Sequence, residues 1–144
     1  MLSYMQTVTI KSHRNGCTYS QPHFYVLNKG MNSGKPLSMP CPNCFVCLVK
    51  NETEKEFYYW LSFGLWRSKS FHPYLRGSVI PFIIIRNYCK AINEGANRAN
   101  ANLPEFEKSL AALKFLELKE KQFHENLRLI QDAKRIIFRK ALRY

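Results

Sequence analysis

The chain changes its apolar pattern within residues 44–67, which read CFVCLVKNETEKEFYYWLSFGLWR. Residues 44–49 are all apolar, which is typical of a short strand buried in the middle of a sheet. The sequence then predicts a helix over residues 54–67, because Thr53 followed by Glu56 matches the capping box of a helix N-terminus. Apolar side chains, mostly aromatic, occupy nearly every side of this helix, so we expect it to be buried or to lie in an interface.

Weaker patterns before and after this stretch predict the other strands. Residues 6–12 alternate between apolar and polar side chains, and residues 23–27 are rich in aromatic and branched ones, so both predict strands. Glycines and prolines in residues 31–43 indicate a loop. Residues 79–85 predict a fourth strand, which we expect either to lie at the sheet edge or to begin after Pro81, because proline cannot donate a backbone hydrogen bond.

The last third of the chain has a helical pattern. Asn87 is a suitable cap for a helix over residues 88–99. Asn102 and Pro104 then mark a new helix start. Residues 105–144 contain neither glycine nor proline, and their apolar residues recur at steps of three or four. This pattern predicts either one long helix or a pair of helices.

These elements define an α+β fold, with a small, mostly antiparallel sheet, a buried aromatic helix and a long helical C-terminal tail. The 144 residues suffice for a single domain, with the α+β core in residues 1–101 and the tail in residues 102–144. No apolar run approaches the roughly 20 residues of a membrane span, and the N-terminus lacks the pattern of a signal peptide. An odd count of five cysteines favours reduced thiols, so we expect a soluble cytoplasmic protein.

The distribution of charge is the most informative feature of the composition. The chain carries 22 Lys and Arg against 10 Asp and Glu, a net charge of +12. Residues 1–51 and 57–93 contain no acidic residue, and the three glutamates between them fall at the predicted helix start, where carboxylates complement the helix dipole. A basic field of this kind attracts nucleic acid or another polyanion. The alternative is that the charge serves solubility alone.

The best candidate for direct contact is the loop over residues 66–78, WRSKSFHPYLRGS, because it combines cations, hydroxyls and aromatic rings. Arginine and lysine bind phosphates, and aromatic faces stack on bases. The alternative is that Arg67 and Lys69 only complement the end of the preceding helix. The predicted nucleic-acid-binding residues are Lys11, Arg14, Lys35, Arg67, Lys69, His72, Tyr74 and Arg76.

The cysteines of residues 41–47, CPNCFVC, allow three interpretations. Cys41 and Cys44 have the spacing of a zinc half-site, but a full site needs four ligands and no second pair of this kind follows. A redox pair normally opens a helix, whereas this one precedes a strand. The simplest interpretation is that they are small hydrophobic residues, and no metal or cofactor is predicted.

The scarcity of carboxylates also argues against metal-dependent chemistry. Two-metal nucleases need clustered carboxylates, and this chain has a single aspartate, Asp132. No catalytic residue is therefore predicted. A metal-free ribonuclease is the enzymatic alternative, because His72, Tyr74, Arg67 and Arg76 have suitable acid, base and cationic groups.

Two further alternatives concern binding partners. The basic residues of the tail, from Lys134 to Arg143, alternate with isoleucine and phenylalanine, as in a helix that lies on a phosphate backbone, an anionic surface or a protein partner. The aromatic helix and the tail would then form an oligomer or partner interface. A binder of small polyphosphate or cyclic-nucleotide ligands would instead show a closed pocket.

Two stretches, NSGKPLSMPCPNCFVCLV (residues 32–49) and FYYWLSFGLWRSKSFHPYLRGSVIPFI (residues 57–83), resemble an uncharacterised family from mobile genetic elements and phages of gut Bacteroidetes. The resemblance extends from Thr7 to the last helix. It implies no catalytic residue, since no activity is associated with that family. It implies an accessory protein of a conjugative element or phage, for which handling DNA or RNA, or blunting host defence, is an ordinary task.

Overall fold

A computed structural model describes residues 8–143 of the chain. Within these residues it contains one four-stranded sheet, three α-helices and a 3₁₀ turn at His72–Tyr74. The elements, in chain order, are β1 (Thr9–Ser12), β2 (His23–Leu27), β3 (Pro36–Leu37), β4 (Cys44–Leu48), α1 (Glu52–Arg67), α2 (Ile85–Ala101) and α3 (Leu103–Leu142). The fold is α+β, as the sequence predicts.

The sheet has the order β1-β4-β2-β3, and all neighbouring strands are antiparallel. Strand β4 is internal and all its residues are buried, as its continuous apolar run predicts. Strand β3 lies within the stretch predicted to be a loop, so that prediction is wrong for Pro36 and Leu37, which pair with β2. The predicted first strand begins at Gln6, which lies outside the described residues, and β1 begins at Thr9.

Helix α1 begins two residues earlier than predicted, at Glu52. Its cap is Asn51, whose side-chain oxygen accepts a hydrogen bond from the backbone N–H of Glu54 at 2.8 Å. The Glu54 carboxylate in turn accepts one from the backbone N–H of Lys50 at 3.1 Å. The prediction of Thr53 as the cap is therefore wrong, because asparagine caps at least as well as threonine and stands one position before the helix.

Hydrophobic residues fill both faces of the sheet. The larger core lies between one face and the helices, and it includes Phe24, Phe45 and Cys47 from the strands with Tyr58 from α1 and Ile92 from α2. All aromatic and leucine residues of α1 are buried or half-buried, which confirms the expectation of a buried aromatic helix. A smaller core on the other face contains the residues Tyr25, Cys44, Val46 and Leu48.

A buried hydrogen-bond network crosses the larger core. The Ser62 hydroxyl donates to the carbonyl oxygen of Gly34 at 2.9 Å and lies 2.8 Å from the hydroxyl of Tyr88. Gly34 has a φ of +99°, and the ring of Phe71 occupies the space that a side chain at this position would need. The network therefore ties α1 and α2 to the chain segment that precedes β3.

The predicted fourth strand over residues 79–85 does not form. Phe82 makes only isolated bridges, to Lys29 and to Arg76. The Arg76 and Phe82 backbones exchange two hydrogen bonds of 2.9 Å and so close a short loop, while Pro81 has no N–H with which to extend a ladder. The strand prediction is therefore wrong, because local pairing within the loop replaces pairing with the sheet.

Helix α2 also begins earlier than predicted, at Ile85 instead of residue 88. The residue before it is Ile84, which makes no side-chain capping bond, and Asn87 lies inside the first turn. The prediction of Asn87 as a cap is therefore wrong. Two backbone N–H groups of this turn, those of Asn87 and Tyr88, bond to the Ile84 carbonyl oxygen.

Helix α3 is a single helix of 40 residues, so the tail is one helix and not a pair. The chain divides into two compact units, of which the first ends at Phe106 and the second begins at Glu107. Phe106 belongs to the first unit, where its ring centroid lies 5.5 Å from that of Phe57. The second unit is the remainder of α3.

Candidate binding cleft at the end of helix α1

An open cleft of about 210 Å³ lies at the C-terminal end of α1. Four of its lining residues fall within residues 66–78, the stretch predicted to contact a ligand, and one of these four is the last residue of α1. The described residues that line it are Met31, Asn32, Trp66, Arg67, Lys69 and His72. We call these residues, together with Lys35, the α1 cleft.

The indole ring of Trp66 is central to the α1 cleft. Its Nε1 atom donates a hydrogen bond to the side-chain oxygen of Asn32 at 3.3 Å. The Nζ atom of Lys35 lies 5.1 Å from a Trp66 ring centroid, and the guanidinium carbon of Arg67 lies 4.4 Å from one. Both distances are within the range of cation–π attraction. Two cationic groups from distant parts of the sequence therefore contact the same indole ring.

A row of aromatic side chains runs back along α1 from the cleft. Trp60, Phe63 and Trp66 follow one another at steps of three residues, with ring centroids 5.0 and 5.5 Å apart. The Arg67 guanidinium also lies 5.6 Å from the Phe63 ring. Tilted and edge-to-face contacts of this kind fix the orientation of the rings. These contacts orient the Trp66 ring at the end of the row.

The backbone at the end of α1 holds Lys69 in an unusual conformation. The N–H of Ser70 donates to the carbonyl oxygen of Leu65 at 2.9 Å, and the N–H of Lys69 donates to the carbonyl oxygen of Trp66 at 3.0 Å. This pair of bonds is the Schellman motif, whose left-handed position normally carries glycine. Here that position is Lys69, with a φ of +59°. A lysine in the left-handed region costs about 1–2 kcal/mol, so its side chain is placed at the cleft against a local preference.

Tight turns fix the segment that supplies Asn32 and Lys35. The Gly34 N–H bonds to the Leu27 carbonyl at 2.7 Å, and the Leu27 N–H bonds to the Lys35 carbonyl at 2.9 Å. The Ser33 hydroxyl is buried and donates to the carbonyl oxygen of Gly30 at 2.7 Å. Together with the bond from Ser62, these contacts hold the segment against α1.

The charged side chains that line the α1 cleft are all basic. Of the described residues that line it, none is acidic. The glutamates of α1 lie in its first five residues, and a helix of 16 residues spans about 24 Å. The carboxylates of α1 and its last residue, Arg67, therefore stand at opposite ends of the helix, each where the helix dipole favours its charge.

The structure brings four of the eight predicted contact residues together at the α1 cleft: Lys35, Arg67, Lys69 and His72. Tyr74 is half-buried and packs against the larger core, whereas Arg76 is exposed at the bridge to Phe82. Lys11 lies in β1 opposite Val46, on the sheet face that carries the smaller core. The exposed Arg14 lies in the turn that follows β1.

Sequence reasoning missed two members of the α1 cleft, Met31 and Asn32, which lie in a stretch that was predicted as a loop. Trp66 opens the stretch of residues 66–78 that was predicted to contact a ligand, but it was not among the predicted binding residues. For Asn32 the local sequence gives no comparable signal, because its contact with Trp66 joins positions 34 residues apart.

Four rings form a second polar group around the smaller core. His13 Nδ1 lies 3.0 Å from the Tyr19 hydroxyl, and His23 Nε2 lies 3.2 Å from the Tyr25 hydroxyl. Burial is the largest of the causes that raise the pKa of both tyrosines. Lys11 Nζ lies 5.5 Å from the Tyr19 ring centroid. Lys11 therefore belongs to this group and not to the α1 cleft.

All five cysteines are free thiols. The Cys44 thiol is buried and donates to the carbonyl oxygen of Cys41 at 3.1 Å, and burial is the main cause that raises its pKa. Cys47 is fully buried in the larger core, and burial raises its pKa strongly. Within residues 8–143, no group of three or more histidine, cysteine or acidic residues is arranged to hold a metal ion.

The fold and the cleft together define a small α+β protein with a basic, aromatic site at the end of one helix. The chain belongs to a family of unknown function, DUF6943, whose model matches residues 10–140. The resemblance to an uncharacterised family is thus confirmed. No curated protein and no solved structure matches the chain. None of the helices in residues 8–143 has both the length and the apolar character to cross a membrane.

Proposed function

We propose that the protein binds nucleic acid without catalysing a reaction on it, and that the α1 cleft holds the phosphate backbone. The observation that carries this proposal is the convergence of Lys35 and Arg67 on the Trp66 ring, at 5.1 and 4.4 Å. Lysine and arginine bind phosphate, and an indole ring stacks on any base. The remaining cation of the cleft, Lys69, stands in the strained position described above.

A single-stranded segment fits this site best. The cleft is open, and its volume of about 210 Å³ is below the roughly 300–1,000 Å³ of enclosed small-molecule pockets. One nucleotide in the cleft would lie beside Trp66, and its neighbours would continue along the exposed cationic loop. Stacking of this kind contributes about 1–3 kcal/mol per base.

The absence of catalysis is also part of the proposal. The one aspartate of the chain, Asp132, lies in α3, where its carboxylate pairs with Arg128 and Arg135. The glutamates of α1 lie in its first five residues, and the Glu54 carboxylate accepts a capping hydrogen bond from the backbone N–H of Lys50. An accessory role in a mobile element or phage belongs to the proposal as well, and is supported by the resemblance alone.

The test is a charge reversal at the cleft. The double variant Arg67→Glu, Lys69→Glu should weaken binding to a labelled single-stranded oligonucleotide by about 30-fold or more, since charge-assisted hydrogen bonds contribute about 1.5–3 kcal/mol each. The matched control is Lys90→Glu with Arg98→Glu, which makes the same change in net charge at two exposed positions of α2. An equal loss in both double variants would show that net charge, and not the α1 cleft, governs binding.

A further inference from the structure

Two cysteine side chains meet where the chain turns from β3 into β4. The Cys44 thiol donates to the carbonyl oxygen of Cys41 at 3.1 Å, and the Cys41 thiol donates to the carbonyl oxygen of Asn43 at 3.5 Å. Both thiols therefore fold back onto the same short segment. Cys41 also packs against the smaller core, of which Cys44 is a member.

The two thiols also interact with each other. Burial is the largest of the causes that raise the pKa of Cys44, and a hydrogen bond with the Cys41 side chain is another. The chain bends at Pro42 and Asn43, between the two cysteines. A disulfide forms without backbone movement only where two cysteines are close and their side chains point toward each other. The bend and the contact between the thiols provide this arrangement.

The two thiols differ in their access to solvent. Cys41 is half-buried and stands between the exposed residues Pro40 and Pro42, whereas Cys44 is only 2% exposed. A dissolved molecule can therefore reach the Cys41 sulfur first. An accessible thiol with a second thiol directly behind it is the arrangement of an attacking and a resolving cysteine.

Proximity is the source of reactivity at this turn. Strand β4, and not a helix, follows the two cysteines, so no helix dipole activates them. Once Cys41 is joined to a small thiol, the Cys44 sulfur attacks within the same molecule, and reactions between groups held together in this way are fast. The mixed disulfide should therefore be short-lived.

We propose that Cys41 and Cys44 form a redox-active dithiol, which a low-molecular-weight disulfide such as oxidised glutathione converts to an intramolecular disulfide. The Cys41 thiolate attacks one sulfur of oxidised glutathione, and one glutathione thiolate leaves and takes up a proton. The Cys44 thiolate then attacks the Cys41 sulfur, and the second glutathione leaves in the same way. The protein loses two electrons and two protons, which the two glutathione molecules gain. This proposal does not depend on nucleic-acid binding.

The first experiment maps the products of oxidation. Full-length protein is incubated with oxidised glutathione at about pH 8, where a thiolate is available. It is then denatured, alkylated and digested without reduction, and the peptides are identified by mass spectrometry. A disulfide between Cys41 and Cys44 is expected, with a mass lower by two hydrogen atoms, and excess reduced glutathione should restore both thiols. Two unoxidised thiols, a bond from Cys41 to Cys17, or a bond that reduced glutathione leaves intact would overturn the proposal.

The second experiment separates the roles of the two cysteines. Cys44→Ser should retain glutathione on Cys41, because the thiol that displaces it is gone. Cys41→Ser should slow the reaction of Cys44 with oxidised glutathione at least about tenfold, because a buried thiol is poorly accessible.

The matched control is Cys17→Ser, which removes an exposed thiol and should leave the rate of disulfide formation unchanged. If Cys44→Ser accumulates no more mixed disulfide than the wild type, or if Cys44 reacts as fast without Cys41, the proposal is overturned.

Discussion

The hydroxyl oxygens of Ser62 and Tyr88 lie 2.8 Å apart in the larger core, where both side chains are fully buried. Because Ser62 also donates to the Gly34 carbonyl oxygen, Tyr88 is the donor to Ser62. The two bonds join α2, α1 and the segment that supplies Lys35. The position of a surface cation thus depends on a hydrogen-bond network inside the core.

Removal of the Ser62 hydroxyl should destabilise the fold. Ser62→Ala takes away the acceptor for the Tyr88 O–H and the donor to the Gly34 carbonyl, so we expect the free energy of unfolding to fall by about 1–3 kcal/mol. Urea denaturation measures this change. Ser78→Ala, at an exposed loop position, is the control and should change stability by no more than about 0.5 kcal/mol. Equal effects would mean that the network has no special role.

The cap of α1 gives a direct comparison of two candidate residues. Asn51→Ala should lower the free energy of unfolding by about 1 kcal/mol, because it leaves the backbone N–H of Glu54 without its side-chain acceptor. Thr53→Ala should have almost no effect, since Thr53 is already inside the helix. Urea denaturation of both variants decides between them, and a larger loss for Thr53→Ala would contradict the observed cap.

Replacement of Lys69 by glycine should raise the stability of the fold and lower the affinity for nucleic acid. Lys69→Gly relieves the left-handed conformation, so the free energy of unfolding should rise by about 1 kcal/mol while affinity for nucleic acid falls. Lys69→Ala is the matched control, because it removes the same charge and keeps the strain. It should lose affinity to the same extent without the gain in stability. If Lys69→Gly binds as tightly as wild type, Lys69 does not contact the ligand.

The buried thiol and phenol predict a loss of stability at alkaline pH. Burial raises the pKa of Cys47 from an ordinary 9.0 and that of Tyr88 from an ordinary 10.0. The unfolded chain therefore releases these protons at lower pH than the folded chain does. Stability is fully present below about pH 9 and falls above it, by up to about 1.4 kcal/mol per pH unit for each group.

Urea denaturation between about pH 8 and pH 11 measures this loss. Cys47→Ala lowers stability at every pH, because it leaves a small cavity, but its dependence on pH should be flatter than that of the wild type. A wild-type stability that stays constant over this range would contradict the burial of the two groups.

Local patterns predict the fold of this chain where the structure depends on near neighbours. The apolar run of β4 and the aromatic helix α1 are examples, because both are buried and both consist largely of apolar residues. Residues 79–85 have the composition of a strand, but the backbone pairing of Arg76 with Phe82 holds them in a loop. Such pairing depends on the shape of a loop, which composition does not encode.

The prediction of the α1 cleft has the same limit, because part of the cleft depends on contacts between residues distant in the sequence. Residues 66–78 stand out in the sequence because cationic and aromatic side chains are concentrated in this one short stretch. Lys35 joins them only through tertiary contacts, above all the bond between Ser62 and Gly34. Charge alone likewise assigned Lys11 to the same surface, whereas it lies beside Tyr19 at the smaller core.

The central claim is that phosphates bind at the α1 cleft, and a salt titration tests it most directly. For single strands, the affinity falls with salt at a log–log slope of about −0.7 per phosphate neutralised. Contacts from Lys35, Arg67 and Lys69 predict a slope of about −2 for the wild type, and loss of two contacts predicts about −0.7 for Arg67→Gln with Lys69→Gln. A slope that the double variant leaves unchanged, or no binding at low salt by the wild type, would contradict the claim.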